Sequence, residues 1–151
     1  MHLGGVVYTA DEVEELSAEH PDLATHTVSM WDGFYLGPLR PGDPPDAAEL
    51  INHSCDASAG VRGQVVIVAR RGIASGDEIT LDYDTTETAA TGGFACRCGS
   101  PHCRAVIDGT GWRRDEFRIR YAGFLSWYIA ERIGRELGRP TEPSARHPVA
   151  P

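Results

Sequence analysis

The fold of this chain depends on residues 76–83, Gly76-Asp77-Glu78-Ile79-Thr80-Leu81-Asp82-Tyr83. A glycine turn opens the stretch, and apolar residues then alternate with polar ones, which predicts a strand with Ile79, Leu81 and Tyr83 on one side. Residues 65–69 form an apolar, mostly β-branched run just before it. Such a run is typical of a strand that is covered on both faces. We expect these two strands to frame the core.

Towards the amino terminus the pattern predicts one short helix and one hairpin. Thr9 and Glu12 fit a capping box, and an apolar stripe follows until Pro21 ends the helix. Residues 27–31 alternate polar with apolar side chains and lead through Asp32-Gly33 into a second strand. Proline and glycine dominate residues 40–46, which are therefore predicted to be a loop.

Towards the carboxyl terminus a flexible connector is predicted over residues 85–93, followed by a cysteine cluster. Apolar side chains recur at helical spacing from Asp115 to Ile129, which predicts one amphipathic helix. The polar, proline-containing residues 140–151 predict a disordered tail. The predicted organisation is a domain over residues 1–93, a cysteine segment over 94–109, a helix over 110–139 and the tail over 140–151.

Length and charge narrow the class of protein. The 151 residues suffice for one domain with a real core. The net charge of -8 disfavours direct binding to nucleic acid, and an acidic surface attracts a lysine-rich protein substrate, although acidity also serves solubility alone. No apolar run reaches the roughly 18 residues of a membrane span. Together with an amino terminus that lacks the pattern of a secretory signal, this predicts a cytoplasmic protein.

The four cysteines indicate a metal site. Cys55 stands alone, whereas Cys96, Cys98 and Cys103 lie close together around Gly99. Closely spaced thiolates on a glycine-containing loop can wrap one zinc ion while a distant fourth closes the tetrahedron. Two disulfides or four free thiols are the alternatives, but a bridge within so tight a cluster is geometrically restricted. His102 is a reserve ligand.

Three motifs in order resemble a SET domain followed by its post-SET segment. They are Asn52-His53-Ser54-Cys55, then residues 76–83, then Cys96-Arg97-Cys98-Gly99-Ser100-Pro101-His102-Cys103-Arg104. The resemblance extends over about residues 7–109. It implies a mainly β fold, the β-clip, in which several small twisted sheets are joined by a pseudoknot and a zinc-bound loop follows. The carboxy-terminal amphipathic helix comes after that loop.

The resemblance also implies the site. It places one zinc ion on the four cysteines, S-adenosylmethionine (SAM) beside Asn52 and His53, and a weaker cofactor contact on Arg97. Tyr83 takes the position of the family's catalytic tyrosine. A single tyrosine at the end of a strand is otherwise usually a packing residue, so its motif carries this assignment.

The sequence departs from the family's pattern in four places. The usual amino-terminal strand with its Gly-x-Gly loop has no clear counterpart, since Gly4-Gly5 is a poor substitute. Ala57-Ser58 replaces Pro-Asn, and Ala105 replaces a glycine. Leu81 stands where relatives commonly carry Phe or Tyr, and this smaller side chain predicts that more than one methyl group is added.

Two functions remain open at the level of the sequence. The first is a SAM-dependent protein lysine methyltransferase that acts on histone-like or other lysine-rich proteins. The second is a catalytically degenerate SET-like module that keeps the zinc and binds proteins, which the absent Gly-x-Gly favours. A nucleic-acid-binding zinc ribbon is disfavoured, because the arginines at 113–120 are more simply the solvated face of a helix.

Overall fold

The computed structural model describes residues 1–88 and 93–139, and its largest sheet has three strands. β1 (Val6–Thr9) and β2 (Val28–Trp31) both pair antiparallel with β3 (Phe34–Gly37), which lies between them. The predicted hairpin is confirmed, because β2 and β3 are joined through Asp32-Gly33, where Gly33 has a φ of 76°. This sheet supports the first helix.

The first helix, α1 (Ala10–Ser17), confirms the predicted capping box. The Thr9 hydroxyl accepts from the Glu12 N–H at 3.3 Å, and the Glu12 carboxylate accepts from the Thr9 N–H at 2.8 Å. Two backbone donors at the helix start are thereby satisfied. A turn of 3-10 helix at Pro21–Ala24 follows and buries Leu23.

Three further pairs of short strands complete the β structure of the described residues. β4 (Asn52–His53) pairs parallel with β7 (Thr80–Leu81), β5 (Ala59–Arg62) pairs antiparallel with β6 (Val66–Ala69), and β8 (Phe94–Ala95) pairs antiparallel with β9 (Val106–Ile107). The predicted fold class, a mainly β chain of several small sheets, is confirmed. The β4–β7 pair brings the first two sequence motifs side by side.

Two predictions about these strands are wrong. β6 is covered on one face only, since Ile67 is buried while Val66 is 43% exposed. β7 contains two residues instead of five, and it pairs with β4. Tyr83 begins a turn of 3-10 helix, Tyr83–Thr85, which ends the strand because the Asp82 carboxylate accepts from the Asp84 N–H.

The predicted single carboxy-terminal helix is also wrong. After a 3-10 turn at Gly111–Arg113, α2 (Asp115–Arg120) and α3 (Trp127–Glu136) are separate. The segment between them instead bonds to the rest of the domain, with the Phe124 carbonyl accepting from Val61 and the Ser126 N–H donating to Thr85. These tertiary hydrogen bonds replace those that a continuous helix would have made there.

The core consists of three clusters. One lies under the small sheets and includes Val61, Ile67 and Leu81; a second, around Phe117, Tyr121 and Ile129, joins the carboxy-terminal helices. The third consists of Cys55, Cys96 and Ile107. None of the helices in the described part of the chain has the length and apolar character needed to cross a membrane.

The predicted flexible connector is wrong for its first residues. Thr85 and Thr86 are buried, and the Glu87 carboxylate accepts from both the N–H and the hydroxyl of Ser29. Residues 89–92, like the predicted tail at 140–151, lie outside the described residues.

Candidate active site

The four cysteines converge on one point. Cys55 follows β4, while Cys96, Cys98 and Cys103 lie in the loop between β8 and β9. Their sulfur atoms all lie within 4.8 Å of one another, and the Sγ atoms of Cys55 and Cys96 are 3.8 Å apart. A tetrahedral zinc ion with Zn–S distances of about 2.3 Å requires sulfurs about 3.8 Å apart. The cluster therefore fits zinc.

The sulfur chemistry agrees with a metal site. All four thiols are free, and a disulfide would require an S–S distance of about 2.05 Å. Burial raises the pKa of Cys55 to about 12, so a thiolate there needs a cation. For Cys98, backbone and thiol hydrogen bonds outweigh the effect of burial and lower the pKa to about 6. His102, the reserve ligand, is exposed and lies outside this group of four.

A cavity of about 500 Å³ lies beside the cysteines, and we call it the motif cavity because all three motifs contribute to it. The four residues predicted to bind SAM or to act in catalysis, Asn52, His53, Tyr83 and Arg97, all line it. Their roles stay predictions, but the structure brings them together. Among the described residues, the lining consists of Asn52, His53, Glu78, Tyr83, Phe94, Cys96, Arg97 and Cys98.

His53 is a neutral, fixed side chain. Burial is the main reason why its pKa is lowered to about 4, although nearby Asp82 opposes the shift. Nδ1 accepts from the Tyr83 N–H at 3.2 Å, which leaves the proton on Nε2, 3.3 Å from the Cys55 sulfur. The imidazole thus connects the catalytic candidate to the metal cluster.

Tyr83 lies at the centre of the site. Its hydroxyl donates to the Ile51 carbonyl at 2.9 Å, and its ring makes edge contacts with His53 and Phe94 at centroid distances of 5.1 and 6.0 Å. Burial raises the pKa of Tyr83, so its hydroxyl stays protonated at neutral pH. The group can orient a substrate through hydrogen bonds, but it is not a strong base.

A buried ion-pair network lies behind Tyr83. Arg104 bonds both oxygens of Asp82 at 2.7 Å and one oxygen of Asp84 at 3.0 Å. Two carboxylates share one guanidinium, and burial raises the pKa of Asp84 to about 6. The Gly111 N–H also donates to Asp84, so this network fastens the carboxy-terminal segment to the site.

A second cavity of about 650 Å³ lies on the side of α1, and we call it the α1 cleft. Tyr83 and Phe94 line both cavities, so one pair of aromatic rings separates them. The cleft also contains apolar Leu81 and the acidic residues Glu14, Glu49, Asp84 and Glu87.

Sequence reasoning assigned no role to several residues of the site. Glu78 accepts from the Asn52 side chain at 2.7 Å, and Arg104 organises the buried network; both stand within the motifs, which is the signal that would have found them. Phe94 and Glu14 carry no such signal. Only the packing of distant segments brings Phe94 against Tyr83 and Glu14 to the cleft that Tyr83 lines.

Two departures from the family's pattern have visible consequences. Ser58, in place of Asn, exchanges hydrogen bonds with Thr80 in both directions, so it joins β7 to the segment that follows the first motif. Ala105, in place of Gly, has a φ of 63°, the left-handed conformation that glycine adopts without strain.

The comparisons with known proteins agree with this geometry. A family model described as "SET domain" matches residues 8–84. Histone-lysine N-methyltransferase ash1 of Drosophila melanogaster is 34% identical over 71 residues, which cover 42% of this chain and 3% of that protein. Over 84% of the chain, the H3 lysine-36 specific histone-lysine N-methyltransferases of Candida glabrata and Candida albicans are 35% and 38% identical, respectively. The chain spans 18% and 16% of their lengths.

Proposed function

This chain belongs to the SET domain family, and from that premise we propose that it transfers a methyl group from SAM to the ε-amine of a protein lysine. The observation that carries the proposal is the position of Tyr83, whose ring lines both the motif cavity and the α1 cleft. A two-substrate reaction needs two binding sites that meet at one catalytic group. Tyr83 is that meeting point.

The motif cavity suits SAM by its chemistry. Glu78 and Arg97 offer one negative and one positive group for the ammonium and carboxylate of an amino acid, and Asn52 adds an amide. Phe94 and His53 offer flat rings for a base. The cofactor, when bound, supplies a methyl group on a positively charged sulfur.

The chain itself positions the amine. The Tyr83 hydroxyl, already donating to Ile51, keeps lone pairs that accept a hydrogen bond from the lysine nitrogen. Leu81, Ile51 and Ile107 line the cleft with apolar surface, which disfavours the charged ammonium and promotes loss of its proton to solvent. Positioning and desolvation thus account for most of the catalysis.

The number of methyl groups added is part of the proposal. Leu81 is 6% exposed and lines the α1 cleft with neither an aromatic ring nor a hydroxyl. Its smaller volume leaves room for a methylated amine to bind again, so we expect di- or trimethyllysine. Mass spectrometry that detects only monomethyllysine at long reaction times overturns this point.

The first experiment is calorimetric titration of SAM into the zinc-loaded chain. We expect one-to-one binding, followed by methylation of lysine in recombinant core histones, which the names of the relatives suggest as a probe. All fourteen basic residues of the chain are arginines, so methyllysine detected in the assay comes from the added protein. Absence of binding at high SAM instead supports the alternative, a catalytically degenerate interaction module.

A tyrosine pair provides the matched test of catalysis. Tyr83→Phe is expected to lower kcat by about 100-fold, because the amine loses its positioning group. Tyr8→Phe is the control, since the Tyr8 hydroxyl also donates to a backbone carbonyl, that of Pro38, but lies outside both cavities. Equal losses in the two variants contradict the role of Tyr83.

The proposed partner is a lysine-rich protein, with neither nucleic acid nor membrane as a ligand. The net charge of -8 and the acidic residues of the α1 cleft support this choice. The proposed location is the cytoplasm, and fractionation of the producing cell tests it.

A further inference from the structure

One face of α1 forms a wall of the α1 cleft. Ala10, Val13, Glu14 and Ser17 all line the cleft, and their spacing places them on one side of the helix. Glu14 is exposed, and within residues 1–88 and 93–139 its carboxylate makes no hydrogen bond or ion pair. The helix therefore presents an uncompensated negative charge to the cleft.

The other acidic residues of the cleft already have partners. Glu87 accepts twice from Ser29, and Glu49 accepts from the Asp46 N–H at 2.9 Å. Asp84 pairs with Arg104. Glu14 is thus the exposed carboxylate that, within the described lining, has neither oxygen in a hydrogen bond or ion pair.

Unpartnered oxygens in the same cleft point to a ligand that donates hydrogen bonds. Asp84 is 1% exposed, and its Oδ1 atom has no partner among the described residues; the same holds for the buried Oγ atom of Ser17. Both residues line the cleft. A buried acceptor without a donor is costly, and a donor from a bound molecule removes that cost.

The charged residues that line the α1 cleft indicate which kind of hydrogen-bond donor suits it. The described lining contains four carboxylates and one histidine, His26, but no arginine. A cation with several N–H groups suits this surface, and a guanidinium has five donors in a planar fork and no acceptor. Glu14 and Ser17 lie three residues apart on α1, close enough for one such group to bond to both.

We propose that the α1 cleft binds a substrate segment in which the target lysine is accompanied by an arginine, and that Glu14 and Ser17 form the subsite for that arginine. The inference rests on the proposed function, since it assumes that the lysine enters beside Tyr83. Lysine is the weaker occupant of this subsite, because its ammonium is a compact charge without the guanidinium fork.

The test is a binding measurement that needs no methyl transfer. Fluorescence anisotropy compares labelled peptides that contain one lysine and place arginine, alanine or glutamate at each neighbouring position in turn, with the zinc-loaded chain as the receptor. We expect arginine at one position to bind about fivefold tighter than alanine and glutamate to bind weaker than alanine, with differences that shrink at high salt.

Two neighbouring glutamates of α1 provide the matched variants. Glu14→Gln and Ser17→Ala are each expected to reduce the advantage of arginine over alanine, whereas Glu15→Gln, the same chemical change at an exposed position outside the cleft lining, preserves it. Glu14→Arg is expected to reverse the preference towards glutamate. Equal affinity of the wild-type chain for the three peptide types overturns the inference, as does an unchanged preference in Glu14→Gln.

Failure of this inference and failure of the proposed function have different signatures. A chain that prefers the arginine peptide but transfers no methyl group retains the subsite and loses the enzymatic proposal. A chain that methylates all three peptides with equal KM retains the enzymatic proposal and loses the subsite.

Discussion

The motif cavity and the α1 cleft share Tyr83 and Phe94, yet they are built in different ways. Segments that carry recognisable motifs line most of the motif cavity, and the cluster of four thiols holds these segments together. α1 and residues 24–28 line much of the α1 cleft, and apart from Leu81 and Tyr83 its described lining lies outside the three motifs. The difference suggests that fixed chemistry is encoded in short motifs, whereas the choice of substrate is encoded in the way distant segments pack.

Zinc removal is expected to have the largest effect. It should unfold the cysteine segment beside the motif cavity and leave β1, α1 and β3 folded. Structural zinc contributes about 10–16 kcal/mol in small sites. A chelator, or Cys98→Ser, should therefore abolish hydrogen-exchange protection over residues 94–107 and prevent SAM binding, because the motif cavity loses Cys96, Arg97 and Cys98. Protection over β1, α1 and β3 should persist. Loss of protection throughout the chain would show that the two regions are one cooperative unit.

Substitution of Arg104 tests how strongly the motif cavity and the α1 cleft are coupled, because the two carboxylates that Arg104 binds lie on either side. Asp82 lies 3.8 Å from His53 of the motif cavity, and Asp84 lines the α1 cleft. Arg104→Gln leaves two buried carboxylates without a cation and is expected to cost about 3–5 kcal/mol of unfolding free energy, measured by urea denaturation. The control is Arg71→Gln, an exposed partner of Asp56, with an expected cost of about 1 kcal/mol or less. Similar costs in both variants contradict the importance of the network.

The pH dependence of stability examines Asp84, the buried carboxylate that lines the α1 cleft. Burial raises the pKa of Asp84 to about 6, so the folded state holds this proton to a higher pH than the unfolded chain does. The contribution of Asp84 to stability is complete below about pH 4 and falls as the pH rises through about 6. Relative to Asp84→Asn, the wild-type chain should lose about 1 kcal/mol between about pH 5.5 and about pH 7.5, a window that keeps the thiolates on the metal. A constant difference across this window would contradict the raised pKa.

The smallest expected effect is a change in unfolding free energy on substitution of Ala105, which lies in the cysteine segment beside the motif cavity. Ala105→Gly relieves the left-handed backbone and is expected to raise the unfolding free energy by about 1 kcal/mol. The control is Ala95→Gly, in β8, where the added flexibility should instead cost about 0.5–1 kcal/mol. Thermal unfolding of the zinc-loaded variants provides the comparison. A loss of stability in Ala105→Gly would contradict the claim that the backbone of Ala105 is strained.

Sequence patterns predicted the features that depend on a few adjacent residues. The capping box at Thr9 and the Asp32-Gly33 hairpin were confirmed because local hydrogen bonds and turn geometry determine them. The cysteine grouping was predicted from spacing, and the sulfur atoms do converge. The single carboxy-terminal helix was wrong, because the hydrogen bonds of Phe124 and Ser126 to distant residues do not appear in a helical pattern.

The sequence by itself determined the family, the small-sheet fold and the grouping of Asn52, His53, Tyr83 and Arg97 in one site, because ordered motifs carry that information. The tertiary structure alone decided that Phe94 packs against Tyr83, that Glu14 lines the same cleft as Tyr83, and that one guanidinium joins Asp82 to Asp84. Those placements depend on long-range packing and on the burial of charge. Long-range packing and the burial of charge leave no periodic pattern of residues in the sequence, so no local pattern predicts these placements.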